Sequence, residues 1–223
     1  MPYRRTENVA RRLAARHDAI VAAARLITGE SGMGGVQVAA VAQRAGIAAG
    51  TVYRYFPGKT DLVEAVFSEI AEREIGALRQ AAAGAPGPLS ALSAAIMSFA
   101  SRALRERRLL YAAIAEPVDA DLERARGAFR RSLAEEFGAR IAAAVAEGRL
   151  PEQDTALAAA ALTGLLIGGL IGPLAPDASG RERDVVQALT LTALRALGVA
   201  DARARGLVVQ TALPAEAAGA PQP

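Results

Sequence analysis

The chain has 223 residues, 52% of them hydrophobic, which suffices for one domain of good size or two small ones. It contains no cysteine and a single histidine, so disulfides, thiolate metal sites and multi-histidine metal sites are excluded. The net charge of +3 is uneven: residues 1–60 hold nine Lys or Arg against three acids, +6, which leaves −3 for the remainder. One basic end on an acidic body suits a polyanionic partner.

Residues 1–10 are polar and basic, and nothing in them predicts order. Arg4 and Arg5 are placed to trail into a minor groove, as basic arms do. No apolar core of a secretory signal is present near the start, and with the lack of cysteine this points to a cytoplasmic protein. A first helix is expected from about Val9 or Arg16 to Thr28, with Ile20, Ala23, Ala24 and Ile27 as its apolar stripe. His17 falls on the polar or boundary side, as a surface or capping residue. Residues 29–36, GESGMGGV, are a glycine-rich connector. They do not form a phosphate loop with Gly58-Lys59-Thr60, because that pattern needs glycine where Tyr53 stands.

Residues 37–59, QVAAVAQRAGIAAGTVYRYFPGK, read as two short helices around a glycine turn. Val38, Val41 and Ala42 share a face of the first, and Val52, Tyr55 and Phe56 point inward from the second. Gly46 stands where the chain needs a left-handed residue. Ala49, Gly50, Tyr53 and Arg54 remain on the outer face. Such a helix-turn-helix places its second helix in the major groove. Small outward residues let the backbone approach base edges, and Tyr and Arg donate to phosphates or bases.

Across AAVAQRAGIAAGTVYRYFPGKTDLVEAV the chain resembles the DNA-binding signature of TetR/AcrR-type regulators. Ala42, Ala45, Gly46, Gly50, Thr51, Tyr53, Tyr55, Phe56, Lys59 and Leu62 carry the resemblance. The chain departs from it at Gln37, Ala48 and Gly58, where the family often has Thr, Ser and Ser that cap a helix or bind a phosphate. Thr51, Tyr53, Tyr55 and Lys59 are expected at phosphates, with Gln37 also in reach of one. Ala49, Gly50, Arg54 and Arg44 are expected near bases.

A long helix is predicted from Lys59 to Ala83, its buried side formed by Leu62, Val66, Ile70 and Leu78. Lys59 and the free N–H groups at its start suit a phosphate. A Pro-containing linker, residues 81–89, precedes a helix to Arg107 and a short one over 109–116. Asp119 or Asp121 is expected to cap a further helix to Glu147, with Phe129, Leu133, Phe137 and Ile141 on one side. Residues 155–175 carry no charge, yet Ala160, Gly164, Gly168 and Gly172 recur every four places. That bare groove fits close helix pairing better than a bilayer span. Ser179 and Glu182 read as a capping box for a last helix carrying Val185, Val186, Leu189, Ala193 and Leu197. No pattern predicts structure beyond residue 200.

These elements give an all-α chain with a three-helix DNA-binding head, residues 1–58, and a helical body, residues 59–200, which the resemblance implies is for ligand binding and dimerisation. About nine helices are expected, followed by a disordered tail, residues 201–223. The resemblance implies a homodimer whose last two helices pair across a two-fold axis through Ala160, Gly164, Gly168, Gly172, Val186, Leu189 and Ala193. It also implies a repressor of a near-palindromic operator in double-stranded DNA, released by a small molecule. Phe67, Met97, Phe99, Tyr111, Phe129 and Leu133 are candidates for the wall of the effector pocket. No catalytic residue, cofactor, metal or membrane partner is expected.

Overall fold

The structure is a computed structural model that describes residues 3–118 and 120–211, with side chains left out of the description for residues 3–7 and 121. The described residues form ten α-helices and one short 3-10 turn, without strands. They divide into two compact units. The first comprises the chain up to Glu72 together with Arg108–Phe129, and the second Arg73–Arg107 with the residues from Arg130 onward.

In the first unit α1 (Tyr3–Ser31) leads through the 3-10 turn Met33–Gly35 into α2 (Val38–Arg44) and α3 (Ala49–Tyr55). The opening half of α4 (Lys59–Ala83), most of α6 (Arg107–Ile114) and the start of α7 (Ala120–Ala146) complete it. Helix α1 begins at Tyr3 rather than at Val9 or Arg16. Its first turns bury nothing at Val9 or Leu13, so helix-favouring Ala and Arg extend it beyond the apolar stripe. That stripe is the predicted one: Ile20, Ala24 and Ile27 are buried, as are Val41, Val52 and Phe56 in the helices that follow. The Gly32 backbone is left-handed, and a Cβ there would meet the Glu116 carboxylate at 2.7 Å. Glu116 accepts the Met33 N–H at 3.0 Å, tying the 3-10 turn to the end of α6. The buried Arg126 donates to the Glu116 carbonyl and fixes that corner from α7.

The second unit is built around α5 (Pro88–Arg105), which packs on α8 (Thr155–Leu170), α9 (Glu182–Ala196) and α10 (Asp201–Gln210). Leu92, Ile96, Met97, Phe99, Leu133, Phe137 and Ile141 fill its core, with Phe99 edge-on to Phe137 at 6.4 Å. Ion-pair clusters join its helices, among them two that involve α4. Arg102 holds the buried Glu74 through Nε at 2.9 Å. Glu136 takes Arg79 and Arg140; burial pushes its carboxyl up, but the two guanidiniums outweigh this and hold it below the usual carboxylate range.

Several sequence expectations change here. The compact units do not follow a boundary at 58/59, because α4 continues unbroken through it and α6 joins the head side. The chain crosses between the units at 72/73, 107/108 and 129/130. Residues 201–210 are helical, because Ala204, Leu207 and Val208 bury one short stripe, in an element packed on α5 and α9. The Ser179–Glu182 box does not form. Ser179 donates to Asp177 at 2.7 Å, Glu182 accepts the Gly180 N–H at 3.1 Å, and α9 starts at Glu182 itself. Asp154 caps α8 by accepting the N–H groups of Ala156 and Leu157. The side chains of Arg4, Arg5 and Asp121, all of Asp119, and residues 212–223 lie outside the described part.

Candidate nucleic-acid interface and helical body

The head is anchored from α3 inward. Val52 and Phe56 are buried, so the helix can turn only one way. The turn before it depends on Gly46, with φ +66°; the N–H groups of Gly46 and Ile47 return to the carbonyls of Gln43 and Ala42 at 3.2 and 3.0 Å. This is the doubly bonded left-handed helix end that glycine favours. Phe56 is covered by the His17 ring, 5.1 Å between centroids, while His17 Nδ1 faces Asp18.

What remains outside on α3 is Ala49, Gly50, Tyr53 and Arg54, all exposed; Tyr53 is 54% exposed despite its size. A Cβ at Gly50 would meet nothing within 4 Å, so packing inside this chain does not require glycine there. The outer face is low at its start and tall and cationic at its end, a shape that lets the helix N-terminus approach another surface closely. Thr51 and Tyr55 sit half-buried at the flanks, so Tyr55 is less inward than its spacing suggested. Lys59 is exposed at the first residue of α4. Of the free N–H groups expected there, that of Gly58 is already taken by Asp61 at 2.8 Å.

Two other residues of the expected contact set are engaged by the head itself. Gln37 stands at the N-cap of α2 without capping it, and its Nε2 donates to the Gly34 carbonyl at 3.0 Å. Arg44 makes a two-pronged pair with Glu30, at 2.9 and 2.6 Å. Hydrogen bonding to Arg44 holds the Glu30 carboxyl below its ordinary value, so the pair is intact at neutral pH and is released as pH falls through that lowered value. Glu30→Ala is therefore expected to free a cation beside α3 and tighten binding to any duplex, with a steeper salt dependence by about one unit. Anisotropy titrations across a salt series measure it, and an unchanged slope would place Arg44 away from the DNA.

Residues 20–66 match the family model for bacterial regulatory proteins of the tetR family. The matched stretch runs from Ile20 in α1 through α2 and α3 into α4 and so takes in the helix-turn-helix. Solved structures of similar fold include a TetR/AcrR-family regulator from Thermobifida fusca, 24% identical, covering 81% of this chain and 97% of that one with a TM-score of 0.63. FadR from Bacillus subtilis, in complex with stearoyl-CoA, is 21% identical over 82% of this chain and 97% of its own, TM-score 0.67. RolR in complex with resorcinol is 23% identical over 92% and 98%, TM-score 0.65. No curated protein matches the chain in sequence.

The six expected pocket residues are dispersed. Phe67, Tyr111 and Phe129 belong to the first unit, and Met97, Phe99 and Leu133 to the second. All but Tyr111 are buried; Tyr111 is exposed, so its hydroxyl needs no buried partner. On α8, Ala160 and Gly164 are exposed and Gly168 is half-buried, in line along the helix. Gly172 falls after the helix end, packed on the Gly168 backbone. Leu189 lies against Gly169, at the 3.0 Å a Cβ there would have. Val186 and Ala193, expected in the seam, are buried inside the chain itself. No helix among the described residues is long and apolar enough to cross a membrane.

Proposed function

We propose that this protein is a ligand-responsive transcriptional repressor that binds a near-palindromic operator in double-stranded DNA as a homodimer. The observation that carries the reading is the outer face of α3, bare at Ala49 and Gly50 and bearing exposed Tyr53 and Arg54 on a rigid Val52–Phe56 anchor. In this reading Arg54 and the backbone at Gly50 approach base edges, while Thr51, Tyr53, Tyr55 and Lys59 hold phosphates. Two heads related by a two-fold would reach successive major grooves ~34–36 Å apart.

The dimer seam is assigned to the uncharged outer side of α8. Ala160 and Gly164 leave it low, Leu157 is 69% exposed, and an apolar groove of about 240 Å³ runs between Leu157, Ala161 and Ala196. A small molecule held by the second unit would release the DNA by favouring one of two states, with a typical coupling of ~1–3 kcal/mol. Helices α4 and α7 each run from one unit into the other and are the covalent routes for that coupling. The relatives bound to resorcinol and to stearoyl-CoA support an organic effector for this chain as well. The regulator is read as a cytoplasmic protein without catalytic activity.

The test is a contrast of two substitutions on duplexes selected from random sequence. Arg54→Ala is expected to relax base preference at one position in each half-site and to cost ~1–3 kcal/mol per contact. Lys59→Ala is expected to weaken all sequences alike and to flatten the salt dependence. If Arg54→Ala leaves affinity and preference unchanged on every duplex, the assignment of α3 as the reading helix is wrong.

A further inference from the structure

Within the second unit, the C-terminal half of α4, one side of α5 and the end of α10 enclose an open cleft of about 650 Å³. This lies within the ~300–1,000 Å³ range of small-molecule sites. The cleft follows from side-chain size. Helix α5 faces it with Ser90, Ala94 and Ser98, and α4 with Ala77, Ala81 and Gly84. Small residues on both helices leave a trench between them. Its sides are fastened independently, by the Arg102–Glu74 pair between α5 and α4 and by Ser93 Oγ against Thr211 Oγ1 at 3.0 Å. Leu207 of α10 adds an apolar flank.

The trench is charged at one end only. Among the described residues its charged lining is Arg102 and Arg105, one turn apart at the end of α5, without an acid. Arg102 commits Nε and Nη2 to Glu74, which leaves Nη1 outside that pair. Arg105 is exposed and has no ion-pair partner among the described residues. Beside them Glu106 lies 3.7 Å from Arg73 and 4.0 Å from Arg102, on the side of Arg102 that also holds Glu74. From Ser90 to Arg102 the α5 wall runs about 18 Å at the helical rise.

We infer that this cleft binds an elongated amphipathic carboxylate, with its apolar body along the small-residue trench and its carboxylate at Arg105 and the free edge of Arg102. The shape demands length, and the charge demands an anion at one tip. Arginine meets a carboxylate through paired N–H donors, stronger than neutral hydrogen bonds. The inference goes beyond the DNA-binding reading and does not depend on it, because binding is measured with no DNA present.

The test is calorimetric titration of the full chain with dodecanoate and with methyl dodecanoate, which keeps the apolar chain but lacks the charge. Dodecanoate is expected to saturate one site per chain, with the ester about tenfold or more weaker. Arg105→Gln is expected to bring dodecanoate down to the level of the ester while leaving the ester unchanged. Ala94→Leu, which fills the trench, is expected to remove both, at an unchanged urea midpoint. Equal affinity for acid and ester, or indifference to both substitutions, would overturn the inference. So would binding that appears only in a chain ended at Thr211, since the cleft would then belong to the protein's own C-terminal residues.

Discussion

Gly164→Arg is expected to turn the protein into a monomer and to weaken operator binding by roughly 100-fold or more, since one head loses the second half-site. The position makes the experiment clean. Gly164 is exposed, and a Cβ built there meets nothing within 4 Å, so the substitution strains no contact inside the chain. Arginine is also the better helix former by somewhat under ~1 kcal/mol, so the fold of the single chain should gain slightly. Sedimentation velocity reads the association state, and urea unfolding at low protein concentration reads the fold. In a two-fold seam each subunit meets the same patch of its partner, so one substitution places two guanidiniums at the axis. A variant that stayed dimeric and bound operator normally would move the seam away from α8. The neighbouring Gly172 is no substitute, because its Cβ would press on the Gly168 backbone at 3.3 Å and mix folding with association.

Arg102→Met is expected to cost the second unit about 3–5 kcal/mol, because it leaves the Glu74 carboxylate buried without its cation. Glu74 is 3% exposed, and Arg102 meets it with two N–H donors. Methionine roughly keeps the apolar stem, so the loss reports the charge rather than a cavity. The double variant Arg102→Met with Glu74→Leu is expected to recover most of the loss, since an apolar pair can replace a buried ion pair at little cost. Urea midpoints at constant slope measure both. A single variant as stable as the parent would show that water reaches Glu74 and that the pair contributes little. The same reasoning explains why Arg105, exposed and unpaired among the described residues, is the residue to substitute when ligand binding alone is in question.

The head was the most legible part of the sequence. Val41, Ala42, Val52 and Phe56 announced their burial by spacing alone, and Gly46 announced the turn by its backbone freedom. The engagement of Arg44 was not legible, because Glu30 lies fourteen residues away and only folding brings the two together. The capping box at Ser179 failed because nearer partners competed: Asp177 accepts from the Ser179 hydroxyl, and the Gly180 N–H donates to the Glu182 carboxylate. Helix α10 was hidden by its brevity and by Gly206; its three buried residues acquire meaning only in an element packed on α5 and α9. On α8 and α9 the sequence marked every small or apolar residue alike. Only the folded chain separates Ala160 and Gly164, left outside, from Val186 and Ala193, already used within. The cleft was invisible for a related reason, since its trench arises where small residues of two helices far apart in sequence come to face one another.

The central claim is that two copies of α3 seat together on one duplex. The most direct measurement is the stoichiometry and affinity of the purified chain on duplexes selected from random DNA, compared at low and moderate ionic strength. The account predicts selected sites with two inverted half-sites about one helical turn apart, two chains bound together, and a marked loss of affinity when one half-site is scrambled. A chain that remained monomeric and bound selected and random duplexes equally, even at low salt, would contradict it.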